Sequence, residues 1–153
     1  MTTPEPGEQP PGPPISLGVL MFLPYRHMEQ RVLAAVVAAG HPISLAQARL
    51  FQRVDHQGSR LTQLAEAAQV TKQTAGFLVD QLEHGGYVTR SPDASDGHAR
   101  LVRITSRVYQ VIEIAGREQA RVGAEWAAHL GARDYERLQQ SLVRLREITD
   151  PFV

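Results

Sequence analysis

No cysteine occurs among the 153 residues, which excludes disulfides, thiolate metal sites, cysteine nucleophiles and redox sensing through a thiol. Net charge is missing too: sixteen basic side chains balance sixteen acidic ones. A histone-like polycation is thereby excluded, and any nucleic-acid contact has to come from a local patch. Lysine is nearly absent, Lys72 standing beside fifteen arginines, a bias we assign to coding composition and to no function. No run of about 18 uninterrupted apolar residues is available to cross a membrane. The first residues lack the charged-then-apolar order of a secretory signal, so a cytoplasmic protein without membrane association is expected. Catalytic signatures are also wanting: there is no Gly-x-Ser-x-Gly, phosphate-binding loop, dinucleotide loop or His-Glu-x-x-His. An enzyme is not expected, nor a cofactor. His27, His41, His56, His84, His98 and His129 include no i, i+4 pair, so no metal site is expected either.

What the chain does have is 42% hydrophobic residues at the length of one domain, enough for a real core. Residues 1–14 hold six of the ten prolines and almost no large apolar side chains, so a disordered tail is expected there, a proline-rich partner ligand being the other reading. Residues 15–55 read as N-terminal helices: Ile15 to Ala39 is apolar, with Pro24 either kinking one helix or opening a second, and Ser44 caps a helix to about Val54. Residues 56–105 change texture. Leu61 to Ala68 and Thr71 to His84 have helical spacing, and Tyr87 to Arg90 and Leu101 to Ile104 are strand-like, with turn chemistry from Ser91 to His98 suggesting a long-tipped hairpin. Residues 106–153 return to helix, first Ser106 to Leu130, then Asp134 to Ile148.

Leu64, Ala65, Ala68, Val70, Ala75, Leu78, Val79 and Leu82 form the inward face of two steeply crossing helices, the arrangement of a helix-turn-helix. Thr71 caps the second helix and points Lys72, Gln73 and Thr74 outward, where donors and acceptors suit base edges and free backbone N–H groups suit phosphate. A hairpin directly after such a pair is the order that lets a wing reach the flanking groove, with Arg90 and Arg100 on opposite sides of its tip and Asp96 able to hold it. A solvated helix pair with a plain hairpin is the bland alternative.

From Leu64-Ala65 through Val70-Thr71-Lys72-Gln73-Thr74, Leu78 to Glu83, Gly86-Tyr87-Val88, Arg90, Pro92-Asp93, Asp96-Gly97 and Leu101 to Thr105, the chain resembles the MarR family of regulators. The resemblance implies a mainly α fold with a small β-hairpin wing, a winged helix-turn-helix between long N- and C-terminal dimerisation helices. It implies a homodimer that places two recognition helices in successive major grooves of double-stranded DNA at a near-palindromic operator, with repression relieved by a small lipophilic or aromatic effector. The DNA-binding residues are then Thr71, Lys72, Gln73, Thr74, Gly76, Phe77, Arg90, Asp96, His98 and Arg100. One position departs: the family's wing tip reads Asp-x-Arg, and here it is Asp96-Gly97-His98. Histidine is mostly uncharged at neutral pH, so either a weaker wing contact or binding that strengthens as pH falls is expected.

An effector pocket of that kind would draw on Phe22, Tyr25, Met28 and Phe51, which would serve equally well as core. Leu138, Leu142, Leu145 and Ile148 recur at three- and four-residue spacing and, with Val122 and Trp126, make either a dimer seam or an internal core. A winged-helix module that binds protein rather than DNA is the rival function.

Overall fold

The computed structural model describes residues 12–151, so residues 1–11 of the expected proline-rich tail lie outside the described residues. Among the described residues six helices and three short strands follow in order: α1 (Leu17–Ala38), α2 (Leu45–Phe51), β1 (Ser59–Arg60), α3 (Leu61–Ala67), α4 (Lys72–His84), β2 (Val88–Asp93), β3 (Asp96–Ile104), α5 (Ser106–Leu130) and α6 (Ala132–Thr149). Pro24 sits inside α1, which is one helix.

The core gathers where α1, α2, α3, α4, the sheet and the first half of α5 meet. Leu50, Leu64, Leu82, Val79, Val88, Val102 and Val108 are fully buried there, with Ala65, Ala75 and Leu78 at the helix crossing. The inward face expected of the helix-turn-helix is the one observed, Ala68 and Val70 packing at its edge.

Three helices end by the same device. In α1, α3 and α4 the residue after the cap turns left-handed and two backbone N–H groups bond back into the last turn, as from His41 to Val36, Val70 to Ala65 and Tyr87 to Leu82. The left-handed residue is Gly40 in the first and Gly86 in the third, but Gln69 in the second, at φ 57°. A side chain in that conformation costs about 1 kcal/mol, which a bond from Gln69 Nε2 to the Glu66 carbonyl at 2.8 Å offsets only in part. Gln69→Gly is expected to raise stability by about 0.5 kcal/mol, the relief of strain outweighing the extra freedom of the unfolded chain. A thermal melt with an unchanged or lower midpoint would show that the Gln69 side-chain bond matters more than the strain.

The sheet is antiparallel, in the order β1-β3-β2. Ser59 and Arg60, which sequence pattern left in a connecting segment, form its outer strand against Val102 and Leu101. Gly58 makes that approach possible, since a Cβ there would lie 3.1 Å from Arg103 Cγ and 3.2 Å from Leu101 Cβ. The hairpin tip is shorter than expected: β2 and β3 pair out to Asp93 and Asp96, leaving only Ala94 and Ser95 to turn. Pro92 tolerates this because β2 is an edge strand, where a missing N–H faces solvent.

Candidate nucleic-acid interface

The second helix of the pair, α4, is capped by Thr71, whose Oγ1 accepts the Thr74 N–H at 3.1 Å. Its buried side is Ala75, Leu78, Val79 and Leu82. Its outward side presents Lys72, Gln73, Thr74 and Phe77, all exposed, with Gly76 partly covered. Lys72 and Arg100 form no ion pair among the described residues, so both positive charges are free to face an anion.

The far end of α4 is fastened to the body. Arg107 donates to the Gly85 carbonyl at 2.7 Å and lies 4.6 Å over the Tyr87 ring. Thr105 Oγ1 donates to the Gly86 carbonyl at 2.7 Å, and the buried His41 ring meets the Tyr87 hydroxyl at 3.1 Å. Gln47 on α2 reaches Gln81 at 3.0 Å. The helix is therefore held at its C-terminal half while its N-terminal half stands clear.

In the wing, the expected residues divide. His98 and Arg100 are exposed. Arg90 is turned back onto α4, where it pairs with Asp80 at 2.6 Å and with Glu83, its side chain only 20% exposed. It braces the strand to the helix, and its charge is already neutralised. Asp96 accepts the His98 N–H at 3.1 Å, turning the start of β3.

The cation that anchors the tip is one the sequence reading missed. Arg60 on β1 binds Asp93 through Nε at 2.9 Å and Nη2 at 2.6 Å, and its Nη1 lies 3.7 Å from Asp96. Asp93 also accepts both the backbone N–H and the hydroxyl of Ser95. Those two bonds first, and Arg60 after them, hold the Asp93 carboxyl down at about 2. A carboxyl whose folded value is depressed stabilises fully above the ordinary aspartate range and loses that contribution as pH falls toward 2. The tether therefore persists through neutral and mildly acid pH. Arg103 adds a further exposed cation on β3, its Nε 3.1 Å from Ser91 Oγ.

Elsewhere, α1, α2 and α5 line a half-open cavity of about 330 Å³, whose walls include Tyr25, Met28, Phe51, Val36, Ile43 and Val111. Three of the four expected pocket residues converge on it. Phe22 is not among the lining residues; half exposed, as Tyr25 also is, it lies under the Arg26 guanidinium at 5.5 Å. At the cavity edge Tyr25 donates to Glu29 at 2.9 Å, and Arg49 grips the same carboxylate with two bonds of 2.6 and 2.8 Å. Arg49 holds Glu29 below the usual carboxylate range, while partial burial and then Glu29 raise the Tyr25 phenol, so that it remains a donor.

The sequence signature of the MarR family matches residues 43–99, and no curated protein matches the chain. Solved structures with this fold include that of MarR, 19% identical over 87% of this chain and 96% of that one, with a TM-score of 0.71. A Mycobacterium tuberculosis MarR family protein in complex with salicylic acid is 24% identical over 86% and 96%, TM-score 0.63. A Staphylococcus aureus MepR mutant bound to an oligodeoxyribonucleotide is 18% identical over 87% and 97%, TM-score 0.57. Residues 43–99, which carry α2, the helix-turn-helix and most of the wing, thus match the MarR family signature, within a chain whose fold is that of the solved MarR structure.

Proposed function

We propose that this chain is a sequence-specific, double-stranded-DNA-binding transcription regulator of the cytoplasm, acting as a homodimeric repressor that a small lipophilic or aromatic ligand releases. The observation that carries the reading is α4: its C-terminal half is locked to the body, and its capped N-terminal half presents Lys72 and Gln73 with no side-chain partner among the described residues, and Thr74 bonded only to the cap Thr71. Such a helix has the donors, the free N–H groups and the clearance for a major groove. The homodimer is supported by apolar faces on α1 and α6 that the protomer leaves uncovered. The effector is supported by the cavity, whose aromatic and thioether lining with a few polar groups at its edge suits a lipophilic ligand.

Fluorescence anisotropy on DNA from upstream of the protein's own gene, at two salt concentrations, tests the core of this reading. Tight binding at low salt that weakens steeply at moderate salt is the expected result, because phosphate contacts release counterions. The neutralised Arg90 and the zero net charge favour a second reading, a winged-helix protein-interaction module; absence of specific DNA binding at any salt selects it.

His98→Arg should strengthen operator binding about threefold at pH 7.5, adding a permanent charge to the exposed wing tip. Equal affinities for the two proteins in the same assay would take the tip out of the interface.

A further inference from the structure

Two neighbours on α4 are unexplained by packing. Phe77 is 62% exposed, the one apolar side chain among the exposed residues of that helix, which are otherwise Lys72, Gln73, Thr74, Asp80, Gln81, Glu83 and His84. Next to it Gly76 occupies the helix interior, where glycine is less favourable than alanine. The fold does not demand it: a Cβ at Gly76 would find only Leu61 Cδ2, at an ordinary 3.7 Å, and its φ is helical. A missing side chain that the protein's own interior does not require, beside a large apolar one that the interior does not use, points to a surface that approaches α4 from outside.

The charge around the pair identifies that surface. Phe77 lies one turn beyond Gln73, and Lys72 and the free N-terminal N–H groups of α4 precede both, so what approaches the apolar ring also meets a cation and an amide. The major groove offers all three complements: phosphate, the adenine edge that glutamine reads with two bonds, and the C5-methyl of thymine, the one apolar group on its floor. Residues four apart are about 6 Å apart along the helix, a span of roughly one to two base steps of about 3.4 Å. We infer that Phe77 is a specificity residue that reads a thymine methyl close to the adenine read by Gln73, and that Gly76 keeps the helix surface low enough for the groove to close on it. This rests on the DNA-binding reading above.

The test uses the duplex that the wild-type protein selects from a randomised library, with each thymine replaced in turn by deoxyuridine, which removes only the methyl. At one thymine per half-site the replacement should weaken wild-type binding about 4-fold, the worth of one buried methyl. Phe77→Ala should bind the parent duplex correspondingly less well and no longer respond to that replacement. Gly76→Ala should melt a few degrees higher yet bind at least tenfold more weakly. If Phe77→Ala keeps the wild-type response to deoxyuridine, or no thymine methyl matters to the wild type, the assignment of Phe77 is overturned while DNA binding stands. Equal binding by Gly76→Ala overturns the role of Gly76. If no duplex is selected, the DNA-binding reading falls and this inference with it.

Discussion

Alanine at both Lys72 and Gln73 is expected to lower affinity for the selected duplex by roughly 100-fold and to bring it level with affinity for unrelated DNA. A good bidentate side-chain contact to a base discriminates by about 1–3 kcal/mol, and a symmetric dimer makes it twice. If Lys72 contacts phosphate in each protomer of the proposed dimer, the slope of log affinity against log salt should flatten by about one unit for each lysine lost. Both side chains are exposed, and alanine favours helix, so the melting midpoint should stay put. That separates a reading defect from a folding one. Retained sequence preference would move the reading surface to another part of the molecule.

A charge in the middle of α6 should be as damaging by another route. Leu142→Asp is expected to convert the protein to monomers in light scattering and to reduce operator affinity by roughly 100-fold, since one molecule then carries one reading helix instead of two. The reasoning starts from exposure. None of the 18 residues of α6 is buried in the protomer, yet Leu138, Leu142, Leu145 and Ile148 line one side of it, Leu142 at 50% and Ile148 at 83% exposed. Ile15 and the first half of α1 through Leu23 are equally bare. An uncharged stripe of that length in water is costly unless another surface covers it. A wild-type protein that is already monomeric, or a Leu142→Asp protein that stays dimeric, would refute the assignment of this face.

The helix-turn-helix was legible because its information is local. Leu64, Ala65, Ala75, Leu78, Val79 and Leu82 repeat with the helical period, and Thr71 announces a helix start by its own chemistry, so the face and the cap follow from neighbours within a few residues. The wing was legible only in outline. Its tip length depends on a ladder running out to Asp93 and Asp96, and the two-residue β1 is too short to carry an alternation. The roles of Arg60 and Arg90 depend on partners that no spacing predicts: Arg60 and Asp93 are 33 residues apart. Val122 is buried within the protomer while the α6 stripe is not, a division that period alone does not make. The pocket shows the same limit on a single helix. Tyr25 and Met28 line the cavity, and Phe22 shares their side of α1 with Glu29 seven residues on, but it stands about 4.5 Å further toward the N-terminus than Tyr25, beyond the end of the lining, an axial limit that helical period does not reveal.

The bond of Arg60 to Asp93 has a consequence for how DNA would be engaged. A hairpin that stands free in solution has to be immobilised when it meets a duplex, and that loss of motion is subtracted from whatever its contacts gain. Here the tip is fixed to the strand that leads into α3 before any partner arrives, so wing and reading helix can dock as one body. What the tip lacks in permanent charge at His98 it recovers in part as entropy already spent during folding.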